Sequence, residues 1–317
     1  MAGKAAGAVI AGEQGLYFAV AGLLAAAGAI YLATGVNFFK FTNLLNIARG
    51  FSMLSIAALG QTLVIIGGGL DLSVAEVIST ANVFAATFMA GRNELFLPIT
   101  ALTLAFGALV GLFNGLLITR RQVPAFVATL GSSIVLRGAR LMWTKGLPRG
   151  YIPDNLNQLG VGTTLGIPNL FYVFLAAALL ASLLLTRMGY GRRLYAVGTS
   201  RAVATLSGIR TERTIVGSYV LCGIASAFVG ILLGGYTDMS DQRIGEGYDL
   251  DTIAVAVLGG AAIGGGSGSV RGTVIAAVII LVITNLSLLM GFPIQSQMLI
   301  KGLVIVLALW LNGRRGT

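Results

Sequence analysis

Two carboxylates, Asp71 and Glu76, follow a glycine-rich break, Gly67-Gly68-Gly69, inside a chain that is otherwise strongly apolar. Ionisable groups at membrane depth are costly and mark ion or proton paths, which makes Asp71 a candidate ion-coupling site. The tetrad Ser73-Val74-Ala75-Glu76 also has the spacing of a capping box, in which serine and glutamate satisfy free backbone N–H groups at a helix start. Asp71 would then face the positive end of that helix's dipole. Capping accounts for Glu76 fully and for Asp71 in part, so both readings of Asp71 stand. The chain has no histidine and a single cysteine, Cys222. The commonest general base and metal ligand is therefore missing, and neither a disulfide framework nor a thiolate metal site can be built. No catalytic residue, no metal set and no cofactor bound by the chain itself is expected.

Other polar groups sit inside apolar runs. The stretch 124–144 holds Thr129, Ser132, Ser133, Arg137 and Arg140. The two arginines share a helix face, where they either snorkel to the outer surface or line a polar path. Asn114 and Asn285 are open to the same choice, because interhelical hydrogen bonds explain such residues as well as a path does. Asp71, Ser73, Asn114, Thr129, Arg137 and Asn285 are thus the candidate path residues. The stretch 236–252 gathers Asp238, Asp241, Glu246, Asp249 and Asp251, without the order of a calcium loop. The run 264–272 is glycine-rich but has no GxxxxGK[ST], so it makes a poor phosphate cradle.

The elements that must hold these residues are membrane helices. Of 317 residues 56% are hydrophobic and 10% charged, against about 25% charged in soluble domains. The fold expected is all-α, a polytopic helical membrane protein forming one domain over 1–317, with about ten spans, some broken or short. The spans read as 16–34, 51–66, 74–90, 95–118, 124–144, 170–186, 214–235, 253–263, 273–290 and 297–311. Lys40 and Arg49 fall in an outside linker, 145–168 is an outside segment without clear periodicity, and 253–263 is short for a crossing. The glycine break at 67–69 before the third span resembles that at 264–266 before the ninth, as broken repeats do in transporters. Tyr31, Trp143, Tyr151, Tyr236 and Trp310 fall at span ends, as an aromatic belt would.

The formal charge of +10 has no basic face with interleaved aromatics, so no nucleic-acid partner is expected. Its arginines concentrate in the polar stretch 190–213, with Arg187 just upstream and Glu212 as the only acid. Between two spans, this stretch must be a loop on one side, and the positive-inside rule makes that side the cytoplasm, with both termini there as well. Within it Thr199 or Ser200 can cap a short helix with Ala202, Val203 and Leu206 on one face, stopped at Gly208. Either this is a peg for a soluble partner, or it is a loop whose arginines only fix orientation.

Several stretches carry a resemblance. They are Gly68-Gly69-Leu70-Asp71-Leu72-Ser73-Val74, then Asn114-Gly115-Leu116-Leu117-Ile118 with Val123-Pro124-Ala125-Phe126-Val127-Ala128-Thr129-Leu130-Gly131, then Leu136-Arg137-Gly138. To these add Gly191-Arg192-Arg193-Leu194-Tyr195-Ala196-Val197-Gly198 with Leu206-Ser207-Gly208-Ile209, and Gly247-Tyr248-Asp249-Leu250-Asp251-Thr252-Ile253-Ala254. Together, over roughly 43–312, the chain resembles the permease subunit of sugar-importing ABC systems of the ribose, xylose and galactose type. The resemblance implies a non-enzymatic subunit of the bacterial inner membrane. It also implies a second permease copy or related chain, two cytoplasmic ABC ATPase subunits that carry the ATP and Mg, and a periplasmic sugar-binding protein. The segment 187–213 would be the coupling loop, with Gly191, Arg192, Arg193, Tyr195, Ala202, Val203, Leu206 and Gly208 as its contact residues. The chain departs from the family at Arg201-Ala202-Val203, where two acids commonly precede the alanine, and at the alanine-rich Ala261-Ala262-Ile263. Two rivals remain: an ion- or proton-coupled carrier centred on Asp71, and a related ABC permease for an autoinducer, a nucleoside or a branched-chain amino acid.

Overall fold

The computed structural model describes residues 2–35, 37–293, 295, 296, 299, 302 and 303. The expected span 297–311 lies largely outside these residues, as do Trp310, Arg314 and Arg315. The helices are α1 (Ala2–Thr34), α2 (Phe41–Ile66), α3 (Val74–Met89), α4 (Phe96–Arg120), α5 (Ala125–Thr144) and α6 (Asp154–Val161). They continue as α7 (Asn169–Thr186), α8 (Gly189–Thr199), α9 (Arg201–Leu206), α10 (Thr211–Thr237), α11 (Tyr248–Leu258) and α12 (Val270–Leu289). Seven apolar stretches in this set are long enough to cross a membrane, and α3 is a shorter apolar helix of 16 residues. Among the described residues one hairpin of two-residue strands occurs, Thr163–Thr164 against Ile167–Pro168, just before α7.

The bundle is built around α2 and α10. Every residue of α2 from Phe51 to Ile66 is buried, and α10 packs on α2, α3, α4 and α6. Lipid supplies little hydrophobic drive between helices, so close backbone approach has to hold the bundle together. The spacing Gly107, Gly111, Gly115 puts three glycines on one face of α4. A Cβ at Gly107 would lie 2.3 Å from the Gly223 carbonyl oxygen of α10, and one at Gly111 2.1 Å from that of Tyr219. α1 is peripheral: with Phe38 it packs on α12 through Ala27, Val282 and Leu286.

Three expectations change. Arg49 lies inside α2, not in a linker, and its guanidinium donates to the Val161 carbonyl at 2.6 Å and to Asn46 at 2.9 Å. The segment 145–168, expected outside and without periodicity, is ordered by α6, whose Gly160 meets Gly235 backbone on α10. Where an eighth span was expected lies the 11-residue α11, too short to be one of the seven, which starts five residues earlier than read and carries Asp249 and Asp251 in its first turn, where the helix dipole favours acids.

Asn285 is a clasp. It exchanges two amide hydrogen bonds with Asn43, at 3.0 and 2.9 Å, which joins α12 to α2. Asn285→Leu should lower stability by about 1 kcal/mol in a detergent unfolding assay and leave uptake intact. Loss of uptake in a stable variant would return Asn285 to the path.

Candidate functional site

Seven of the side chains that matter converge at the break between α2 and α3. Gly68 takes φ +78°, and the chain turns back so that Asp71 lies beside α2, with 1% of its surface exposed. The Asp71 Oδ1 accepts from the Ser73 backbone N–H at 2.9 Å and from the Ser73 hydroxyl at 2.6 Å. The Asn114 amide donates to the Ser73 hydroxyl at 3.0 Å, and the Ser132 hydroxyl donates to Asn114. The result is a directed relay, Ser132 to Asn114 to Ser73 to Asp71, that ties α5 and α4 to the start of α3. Gln61, oriented to satisfy both partners, brackets the Asp71 backbone with contacts of 3.2 Å to its N–H and to its carbonyl. Tyr219 of α10 donates to the Leu70 carbonyl at 3.2 Å, and Thr129 reaches the same oxygen at 3.4 Å.

The capping box does not form. Ser73 has helical backbone angles and makes no side-chain cap, because its hydroxyl is committed to Asp71. Glu76 instead pairs with Arg140 at 2.7 Å, with side-chain exposures of 16% and 2%. The Arg140 guanidinium also donates to Thr80 at 3.0 Å and to Gln242 at 3.2 Å, and Gln242 donates on to the Leu147 carbonyl at 3.0 Å. Snorkelling is thus overturned for Arg140: a half-buried carboxylate 64 residues away in sequence pairs with it, so the buried guanidinium is not left without a counter-charge. Arg137 is exposed and joins neither this pair nor the relay. Of the candidate path residues, the structure brings Asp71, Ser73, Asn114 and Thr129 together and leaves Arg137 and Asn285 apart.

The arginine-rich loop holds two helices. α8, which follows directly on α7, buries Gly191, Leu194 and Val197. Gly191 is needed because a Cβ there would meet the Leu185 carbonyl oxygen at 2.2 Å. Leu194 packs with Leu63 and Ile66 at the end of α2 and with Leu185 of α7. Tyr195 donates to the Gly268 carbonyl at 2.8 Å, and burial pushes its phenol pKa up, so it remains a proton donor at neutral pH. Arg192 and Arg193 are exposed. Ser200 then caps α9, its hydroxyl accepting from the Val203 N–H at 3.3 Å, and Gly208 follows at φ +78°. In α9 only Ala204 is buried, while Ala202, Val203 and Leu206 face outward, Leu206 with 89% of its surface exposed.

α8 and the Asp71 node meet at a junction made almost wholly of backbone. The Gly266 N–H donates to the Ile66 carbonyl at 2.9 Å. A Cβ at Gly198 would stand 1.8 Å from that same carbonyl oxygen and 2.4 Å from the Gly266 nitrogen. Gly265, at φ +89°, would place a Cβ 2.8 Å from the Gly198 carbonyl oxygen and 2.9 Å from the Gly68 Cα. The two glycine breaks therefore close on one another, with α8 against both. Gln61 and Tyr219 were not named from the sequence; Ser132 was named without a place among the path candidates, Glu76 and Arg140 without being paired, and Gly198 only within a motif. Only spacing relative to the two glycine runs could have pointed to Gly198. Among the described residues no group of three or more potential metal ligands occurs.

Over residues 43–309 the chain matches the family described as branched-chain amino acid transport system / permease component. It belongs to that permease family. It is similar to the ribose import permease protein RbsC of Escherichia coli (strain K12), 34% identical over 291 residues, 90% of each chain. RbsC of Bacillus subtilis (strain 168) is 35% identical over 283 residues, 88% of this chain and 87% of that one. The autoinducer 2 import system permease protein LsrC of Klebsiella pneumoniae is 32% identical over 302 residues, 95% of this chain and 86% of its own. No solved structure matches the chain. The permease is therefore a helical membrane protein of the ABC importer class, as its motifs led one to expect.

Proposed function

We propose that this permease is the membrane subunit of an ATP-driven importer that passes a monosaccharide from a periplasmic binding protein into the cytoplasm. The observation that carries this reading is the exposed, Ser200-capped α9, joined through α8 and the glycine junction to the Asp71 node. The arginine-rich end faces the cytoplasm, where two ATPase subunits hold the ATP and Mg, and a second permease copy or related chain completes the path. Closure of the ATPase pair displaces α9, and α8 carries the displacement to the ends of α2 and α3. The chain itself performs no chemistry; the sugar contributes differential affinity for the two states and ATP the direction. Similarity to the ribose permeases favours a monosaccharide, and similarity to LsrC keeps an autoinducer as the second reading.

The test is purification of the tagged chain with its native partners, followed by reconstitution. ATP hydrolysis stimulated by a sugar-loaded binding protein is the expected outcome. Sodium- or proton-driven uptake by the chain alone would replace this reading with a carrier centred on Asp71. Leu206→Glu should lower uptake about tenfold, equivalent to roughly 1.4 kcal/mol of lost coupling contact, with the permease still folded by size-exclusion chromatography. Unchanged uptake would remove α9 from the coupling surface.

A further inference from the structure

The loop 187–213 contains six arginines besides its single acid, Glu212, and that acid is already paired with Arg120 of α4. Arg192, Arg193, Arg201, Arg210 and Arg213 are all exposed. Among the described residues none of the five has a salt-bridge partner. Orientation in a membrane requires only positive charge near the span ends. It does not require where this charge is put: α8 has no acid in its first turn and carries Arg192 there, at the end of a helix dipole that disfavours cations.

Three apolar residues of α9, Ala202, Val203 and Leu206, point away from the protein. Ala204 packs into the main core with Ile215 and Val197. At about 100° per residue, Ala202 and Leu206 stand roughly 160° from Ala204 and Val203 about 100° from it. Val203 and Leu206 are 61% and 89% exposed. The bundle lies on the Ala204 side, so these side chains face away from it. An exposed leucine on a loop that also carries exposed arginines without salt-bridge partners matches a partner whose surface is the converse, an apolar floor with a carboxylate rim.

Resting on the coupling reading above, we propose that the ATPase receives α9 in an apolar groove rimmed by Asp and Glu side chains, and that Arg201 and Arg210 register the peg in it. The apolar contact supplies the coupling, and the charges direct the encounter and fix its orientation.

The experiment is co-purification of the full chain with its native ATPase in nanodiscs, comparing wild type, R201E/R210E and R201K/R210K. Charge reversal should reduce bound ATPase about tenfold or more, the lysine variant should retain it, and wild-type association should weaken as ionic strength rises from about 0.05 to 0.5 M. Equal amounts of folded permease, read by size-exclusion chromatography, separate this from misfolding. ATPase binding that survives R201E/R210E and high salt, while Leu206→Glu still uncouples, would overturn the acidic rim and leave the importer reading in place. A reversal effect seen only in discs with anionic lipid would overturn it in favour of headgroup binding. Absence of any ATPase from the wild-type preparation would overturn both.

Discussion

Arg140→Ala is expected to destabilise the permease by about 3–5 kcal/mol, the usual consequence of leaving one member of a buried ion pair without the other. The side chain is 2% exposed and its partner Glu76 16% exposed, so the arginine is out of reach of bulk water and the carboxylate has little access to it. Truncation also removes the bonds to Thr80 and Gln242, and with Gln242 goes the tie between α3, α5 and the loop that follows α10. The double variant Glu76→Gln/Arg140→Met should recover most of the loss, because replacing both charges avoids the stranded one. Unfolding of purified protein in detergent, followed by tryptophan fluorescence, measures both. A single variant within about 1 kcal/mol of wild type would place the pair in the range of an exposed one and refute the assignment.

Gly198→Val is expected to reduce uptake to background while leaving the permease in the membrane. The first side-chain atom would fall 1.8 Å from the Ile66 carbonyl oxygen, so either α8 lifts from the bundle or the bond from Gly266 to Ile66 breaks. Backbone meets backbone here, and no rotamer can turn aside to relieve the clash. On the coupling reading, ATP hydrolysis should persist at its basal rate but lose its response to the loaded binding protein. Tyr195→Phe is the gentler companion: it deletes one hydrogen bond, to the Gly268 carbonyl, and should lower stimulation without affecting folding. Full uptake by both variants would remove the junction from the mechanism.

Apolar runs made most of the fold legible, since a span needs about 20 such residues and little else. α9 was legible in more detail, because Ser200 and Gly208 carry the local chemistry of a helix start and stop. The centre of the site was less so. Ser73-x-x-Glu76 satisfies the spacing of a cap, yet both side chains found partners elsewhere, Asp71 two residues back and Arg140 on α5. Local spacing cannot decide such a contest, because the competing partner is brought in by the tertiary fold. Likewise α8, interrupted by glycines at 189, 191 and 198, has weak helix propensity. Its glycines serve the close approach to α7 and to the two breaks, a role visible only once those segments are seen to meet.

The peripheral placement of α1 has a consequence for biosynthesis. Its packing surface is on α12, which is made about 250 residues later; at about 5–20 residues per second that is a delay of roughly 10–50 s. During this interval α1 is a lone helix in lipid, a condition its sequence suits, since only 6% of its span is buried even in the finished bundle. Asn43 waits as long for Asn285. The last described helix to be synthesised therefore closes both the rim at α1 and the amide clasp on α2, and a ribosome halted before α12 would leave the bundle open along that side.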